Sequence, residues 1–105
     1  MACKETYPGI CSSETRVTVC GSSYSASAIS GSVRVNTPCT FKYTMTLQRW
    51  DHNIGQWFDS GSRTGYSNDG ISQTFNLSRN NFDYRLKVEP NASGARVCYS
   101  PVFRH

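Results

Sequence analysis

The chain has 105 residues, enough for one domain around one hydrophobic core. Eleven Lys and Arg against seven Asp and Glu leave a formal charge of +4, spread from Lys4 to Arg104 instead of gathered on one segment. That spread argues against a nucleic-acid binder, which clusters its cations, and no apolar run approaches the roughly 18 residues that an integral membrane protein needs.

Residues 1–15 hold Cys3, Cys11, a Tyr7-Pro8-Gly9 turn and several Ser and Thr, and read as an irregular arm fastened by sulfur. The start Met1-Ala2-Cys3 reads as an initiator Met on an already mature chain. Arg16–Cys20 is a short alternating strand. Gly21–Ser32 is rich in Ser, Ala and Gly, too small in side chain to build core alone, and reads as a loop feeding a strand at Val33 and Val35. Pro38 interrupts pairing before a longer strand, Phe41–Trp50. There Phe41, Tyr43, Met45 and Leu47 fall on one side and Lys42, Thr44, Thr46 and Gln48 on the other, with Trp50 in the wet phase.

Asp51-His52-Asn53-Ile54-Gly55 has the composition of a hairpin loop between Trp50 and Gln56-Trp57-Phe58. Ser60–Gly70 is polar and reads as a loop, with Asn68-Asp69-Gly70 a strong turn signal. A strand Ser72–Leu77 follows, with Phe75 and Leu77 inward, and Arg79-Asn80-Asn81 turns the chain. Phe82–Glu89 then alternates apolar and charged side chains without a slip, which only a half-buried strand does. Pro90–Gly94 ends it, and Arg96–Phe103 is a last strand broken at Pro101. About seven short strands and no helical period predict an all-β fold: one antiparallel β-sandwich domain over residues 1–105.

From residue 41 onward the segment Leu47-Gln48-Arg49-Trp50, a turn, Trp57, a strand, then Tyr84-Arg85-Leu86-Lys87-Val88 and a closing strand resembles the second half of a fibronectin-type-III or immunoglobulin-like sandwich. It is also similar to small secreted bacterial proteins carrying a Leu-Gln-Arg segment, a following Trp and a Tyr-Arg-x-Lys-Val strand. Trp50 follows Cys39 too closely for the Cys…Trp…Cys spacing of immunoglobulin domains. The resemblance implies the sandwich and leaves function open, since such sandwiches host binding, adhesive, inhibitory and toxic roles.

Five cysteines in so short a chain suit an exported, disulfide-stabilised protein, secreted to the extracellular medium. There is no Cys-x-x-Cys pair, and the two histidines lie in a loop and at the terminus, so neither a metal nor a cofactor is expected. The expected pairs are Cys11–Cys39 and Cys20–Cys98, each adding about 2–4 kcal/mol. Cys3 is then left over: a free terminal thiol, half of a Cys3–Cys11 loop with another cysteine free, a lipid attachment point, or a link to a second chain.

For function the candidate ligand-binding residues are Trp50, Trp57, Phe58 and Tyr66, with Arg49 beside them. Exposed indoles stack on sugars or anchor a protein partner. The competing reading is that Trp50 and Trp57 face each other and only stabilise the hairpin. Lys42, Arg85, Lys87 and Arg96 form a candidate basic face, tempered by Asp83 and Glu89. Asp51-His52 is the one acid–histidine neighbour in a loop, but a hairpin tip does not hold an imidazole as catalysis requires. Small secreted microbial ribonucleases are similar in size and in a cysteine-bearing start, but they need a Glu, an Arg and two histidines converging on one site, plus a helix. Asn76-Leu77-Ser78 and Asn91-Ala92-Ser93 fit the glycosylation acceptor pattern. The expected function is non-catalytic binding of an extracellular protein or glycan. The alternative is a basic toxin or antimicrobial protein on anionic cell envelopes, and a secreted hydrolase comes third.

Overall fold

Alternating side chains become two packed sheets in the computed structural model, which describes residues 2–70 and 72–105; the reading of Met1 lies outside them. Nine strands run in chain order: β1 Ala2–Thr6, β2 Val17–Ser25, β3 Ala28–Val35, β4 Lys42–Asp51, β5 Gln56–Tyr66, β6 Gln73–Asn76, β7 Asp83–Pro90, β8 Cys98–Tyr99 and β9 Phe103–Arg104. No helix occurs among the described residues. One sheet has the order β1-β2-β3-β6, the other β5-β4-β7-β8 with β9 also paired to β7, and every pairing is antiparallel. The protein is an antiparallel β-sandwich with the seven expected strands, an added β1, and a closing strand split at Pro101.

The core lies where the inward phases meet. Tyr43, Met45 and Leu47 of β4 and Tyr84, Leu86 and Val88 of β7 pack against Val17 and Val19 of β2, Ile29 of β3 and Phe75 of β6. Phe41 closes one end and is itself buried.

Three expectations need correction. The arm is not irregular throughout, because Ala2–Thr6 pairs with the edge of β2. Gly21–Ser32 is no loop but most of the β2–β3 hairpin, in which Gly21 stands opposite Gly31. Small residues are required there. A Cβ on Gly31 would collide with Leu86 and lie 2.8 Å from the Met45 sulfur, and one on Gly21 would lie 2.8 Å from the Phe103 ring. The bulk missing from this hairpin is supplied by the opposite sheet. Finally, β5 continues to Tyr66, so the polar loop shrinks to the turn that follows it.

Sulfur follows the same geometry. Cys11–Cys39 forms as expected, but Cys20 pairs with Cys3 and not with Cys98. Cys3 and Cys20 are direct cross-strand partners with Cα atoms 4.0 Å apart, within reach of a bridge, whereas Cys98 belongs to the other sheet. Cys98 is a fully buried free thiol, and burial pushes its pKa up.

Candidate functional site

The outward phase of β4 carries Lys42, Thr44, Thr46, Gln48 and Trp50, and the β5 register places Trp57 directly opposite Trp50. A bulge decides that match. Leu47 pairs with Gly61 but Gln48 with Asp59, leaving Ser60 unpaired, so the later partners shift by one and Trp57, not Phe58, stands beside Trp50. The indoles meet edge to face, with centroids 5.3 Å apart and planes at 60°. Both are half-buried, and with Val102 and Asp83 they line an open groove of about 340 Å³.

Beside the groove β7 supplies Arg85, which pairs in register with Gln48. Its guanidinium lies between two rings, with Cζ 4.4 Å from the Trp57 centroid and 4.2 Å from that of Tyr99. Nε donates to Gln48 Oε1 at 2.8 Å, and Gln48 Nε2 donates to Asp59 Oδ1 at 3.0 Å. Gln48 is therefore buried although it points away from the core. Two stacked faces and one in-plane hydrogen bond fix the orientation of the cation.

The groove's rim is polar. Asp83 receives Arg104 Nε at 3.3 Å, with His52 Nε2 at 3.9 Å, and His52 also lies edge-on to Trp50 at 6.4 Å. Lys87 pairs with Glu89 at 3.4 Å. Arg85 lies beyond ion-pair distance of every described carboxylate.

The candidate residues thus divide. Trp50, Trp57, Arg85 and Lys87 share the outer face, so the two tryptophans and half of the basic face fall on one surface. Arg49 and Phe58 pair with each other on the opposite face, where the Arg49 guanidinium sits 4.7 Å from the Phe82 ring centroid. Tyr66 shares the outer phase but is nine residues along β5 from Trp57, roughly 30 Å at strand rise, opposite Lys42. Arg96 is exposed on the segment whose backbone N–H donates to Pro8. Missed from sequence were Tyr99, Val102 and Arg104, which lie far along the chain from the tryptophans and are brought beside them only by the pairing of β8 and β9 with β7. Gln48 and Asp83 were placed on the outward faces of their strands, but their contacts with Arg85 and Arg104 were not foreseen.

His105 does different work. Its Nε2 lies 2.6 Å from the Leu77 carbonyl, which can only accept, so Nε2 carries the hydrogen. In the neutral ring Nδ1 then accepts from the Ser23 hydroxyl at 2.7 Å. The imidazole is buried, tying β2 to the end of β6. No group of three metal-ligating side chains is gathered among the described residues.

No protein-family model, curated protein or solved structure matches the chain.

Proposed function

We propose that this protein is an extracellular, non-catalytic binding module that takes a glycan across Trp50 and Trp57. The single observation carrying this reading is the open groove they form with Val102, rimmed by the hydrogen-bonding groups of Asp83 and Arg104. Sugars present just such a combination, an apolar C–H face edged with hydroxyls, and they stack on aromatic rings while their hydroxyls bond to a polar rim. Two disulfides support an oxidising setting. An immunoglobulin-like kinship is supported by strand order: β2-β3-β6 corresponds to A-B-E, and β5-β4-β7-β8 to a C′-C-F-G sheet. Tyr84, near the start of β7, holds Asn80 through its hydroxyl at 2.7 Å, much as the corner tyrosine of such domains ties back upstream.

The envelope-binding alternative draws less support, because Lys87, Arg104 and Arg16 each face a carboxylate. The hydrolase reading has less still: His52 sits exposed on the hairpin turn, 3.9 Å from Asp83, and both ring nitrogens of His105 are engaged inside the fold.

The only two tryptophans lie in the groove, so indole fluorescence reports its occupancy. Titration with neutral β-linked oligosaccharides should shift that emission saturably, with little change between low and high salt. Trp57→Ala should weaken binding at least about tenfold, a loss of roughly 1.4 kcal/mol. Salt-sensitive association with anionic vesicles and none with any sugar would replace this reading by the toxin alternative.

A further inference from the structure

We propose that Arg85 makes this groove selective for acidic sugars, the guanidinium receiving a carboxylate carried by the ring that stacks on the tryptophans. This rests on the glycan reading above. Arg85 stands over Gln48, flanked by Trp57 and Tyr99, with its Nε already committed to Gln48 Oε1. Its two Nη groups have no described partner, and no described carboxylate lies within ion-pair distance. The other acids of this face are occupied. Asp83 faces Arg104 and His52, Glu89 faces Lys87, and Asp59 accepts from Gln48.

Charge complementarity therefore calls for an external anion, and the geometry narrows its kind. A guanidinium clamped between two rings can offer hydrogen bonds only in its own plane. The Nη edge matches the two oxygens of a carboxylate, a bidentate pairing whose direction the rings have fixed in advance. Because Arg85 touches the Trp57 ring itself, a sugar on the indoles would bring its acidic substituent to that edge. A guanidinium recruited only to stiffen the hairpin would be served equally well by an internal acid, and Asp59, which could have filled that role, is held by Gln48 instead.

The test uses the oxidised full chain and three probes: a galacturonate tetramer, its methyl ester, and a sulfated neutral tetramer, each followed by indole fluorescence. The free acid should bind at least about tenfold tighter than the ester, the range expected for a charge-assisted pair, and that margin should shrink with added salt. Arg85→Gln should erase the margin, so that acid and ester bind alike, and Arg85→Lys should restore part of it. The sulfated tetramer should fall between ester and acid, since a tetrahedral anion fits the planar fork less well; if it binds tightest, carboxylate selectivity is overturned. Equal affinity for acid and ester in the unmodified protein overturns the inference and leaves the glycan reading standing. Failure of all three probes and of neutral sugars overturns the reading itself. The acid–ester comparison needs no variant, so a poorly folding substitution does not spoil it.

Discussion

At the scale of single residues, the sandwich depends as much on absent side chains as on present ones. Gly21 and Gly31 face each other across β2 and β3, and Leu86, Met45 and Phe103 occupy the space their side chains would take. Any Cβ there must displace buried atoms of the opposite sheet, at a cost of about 1–3 kcal/mol for modest overpacking. Gly31→Val should exceed that range, because Leu86 is fully buried and the nearest obstacle is its own methyl group. The measurement is urea unfolding followed by far-ultraviolet circular dichroism. A compensating Leu86→Ala in the same chain should recover part of the loss, whereas additive losses would mean that the two positions do not contact. The hairpin's identity as paired strands was not legible for this reason. A stretch of Ser, Ala and Gly carries no period of its own, and the large residues that complete it come from the opposite sheet: Met45 of β4, Leu86 of β7 and Phe103 of β9.

At the scale of elements, the β4–β5 ribbon builds the groove, and its bulge is the controlling feature. With regular pairing from Leu47↔Gly61 onward, Trp50 would meet Phe58, and Trp57 would turn to the opposite face. Ser60 absorbs one residue, and Gly61 accepts the backbone this requires, with φ at 148°. Gly61→Val is strained by its backbone, since a Cβ there would lie an ordinary 3.7 Å from Phe75. That strain should lower stability by about 1–3 kcal/mol and weaken the coupled indole signal in near-ultraviolet circular dichroism. Deleting Ser60 should preserve the signal, because the ladder then runs through with Trp57 still opposite Trp50. If the deletion separates the indoles and the valine does not, the bulge is not what aligns them. The hairpin, its turn and the outward phase of Trp50 were all legible from alternation and turn chemistry. The bulge was not, because β5 is an edge strand with nearly every side chain exposed and shows no apolar period to break.

At the scale of the whole molecule, the sulfur arrangement separates one sheet's fastening from the other's packing. Cys3–Cys20 fixes β1 to β2, and Cys11–Cys39 closes the arm onto the segment before β4, while Cys98 remains a thiol between the layers. Cys11–Cys39 was readable because both cysteines flank predicted strands at one end. Cys20 was misassigned because β1 has no alternation to announce it, so its edge pairing with β2 could not be anticipated. The buried thiol has a consequence for pH. Burial raises the pKa of Cys98, and it raises that of Tyr43 as well, against the lowering effect of the Gln73 hydrogen bond. Below the unfolded thiol's pKa, near 8.5, both states hold the proton and stability is insensitive to this group. Above it the unfolded chain releases a proton that the native state retains, so stability falls as pH rises, with Tyr43 adding to the fall above about pH 10. The urea midpoint should therefore decline from pH 8 to pH 10, and Cys98→Ala should flatten the first part of that decline. At pH 8 the native protein should leave Ellman's reagent uncoloured for minutes and release one thiol per chain on unfolding, matching the single free cysteine. Native reaction at the rate of free cysteine would move Cys98 out of the core, and the pairing of the two sheets around it would have to be redrawn.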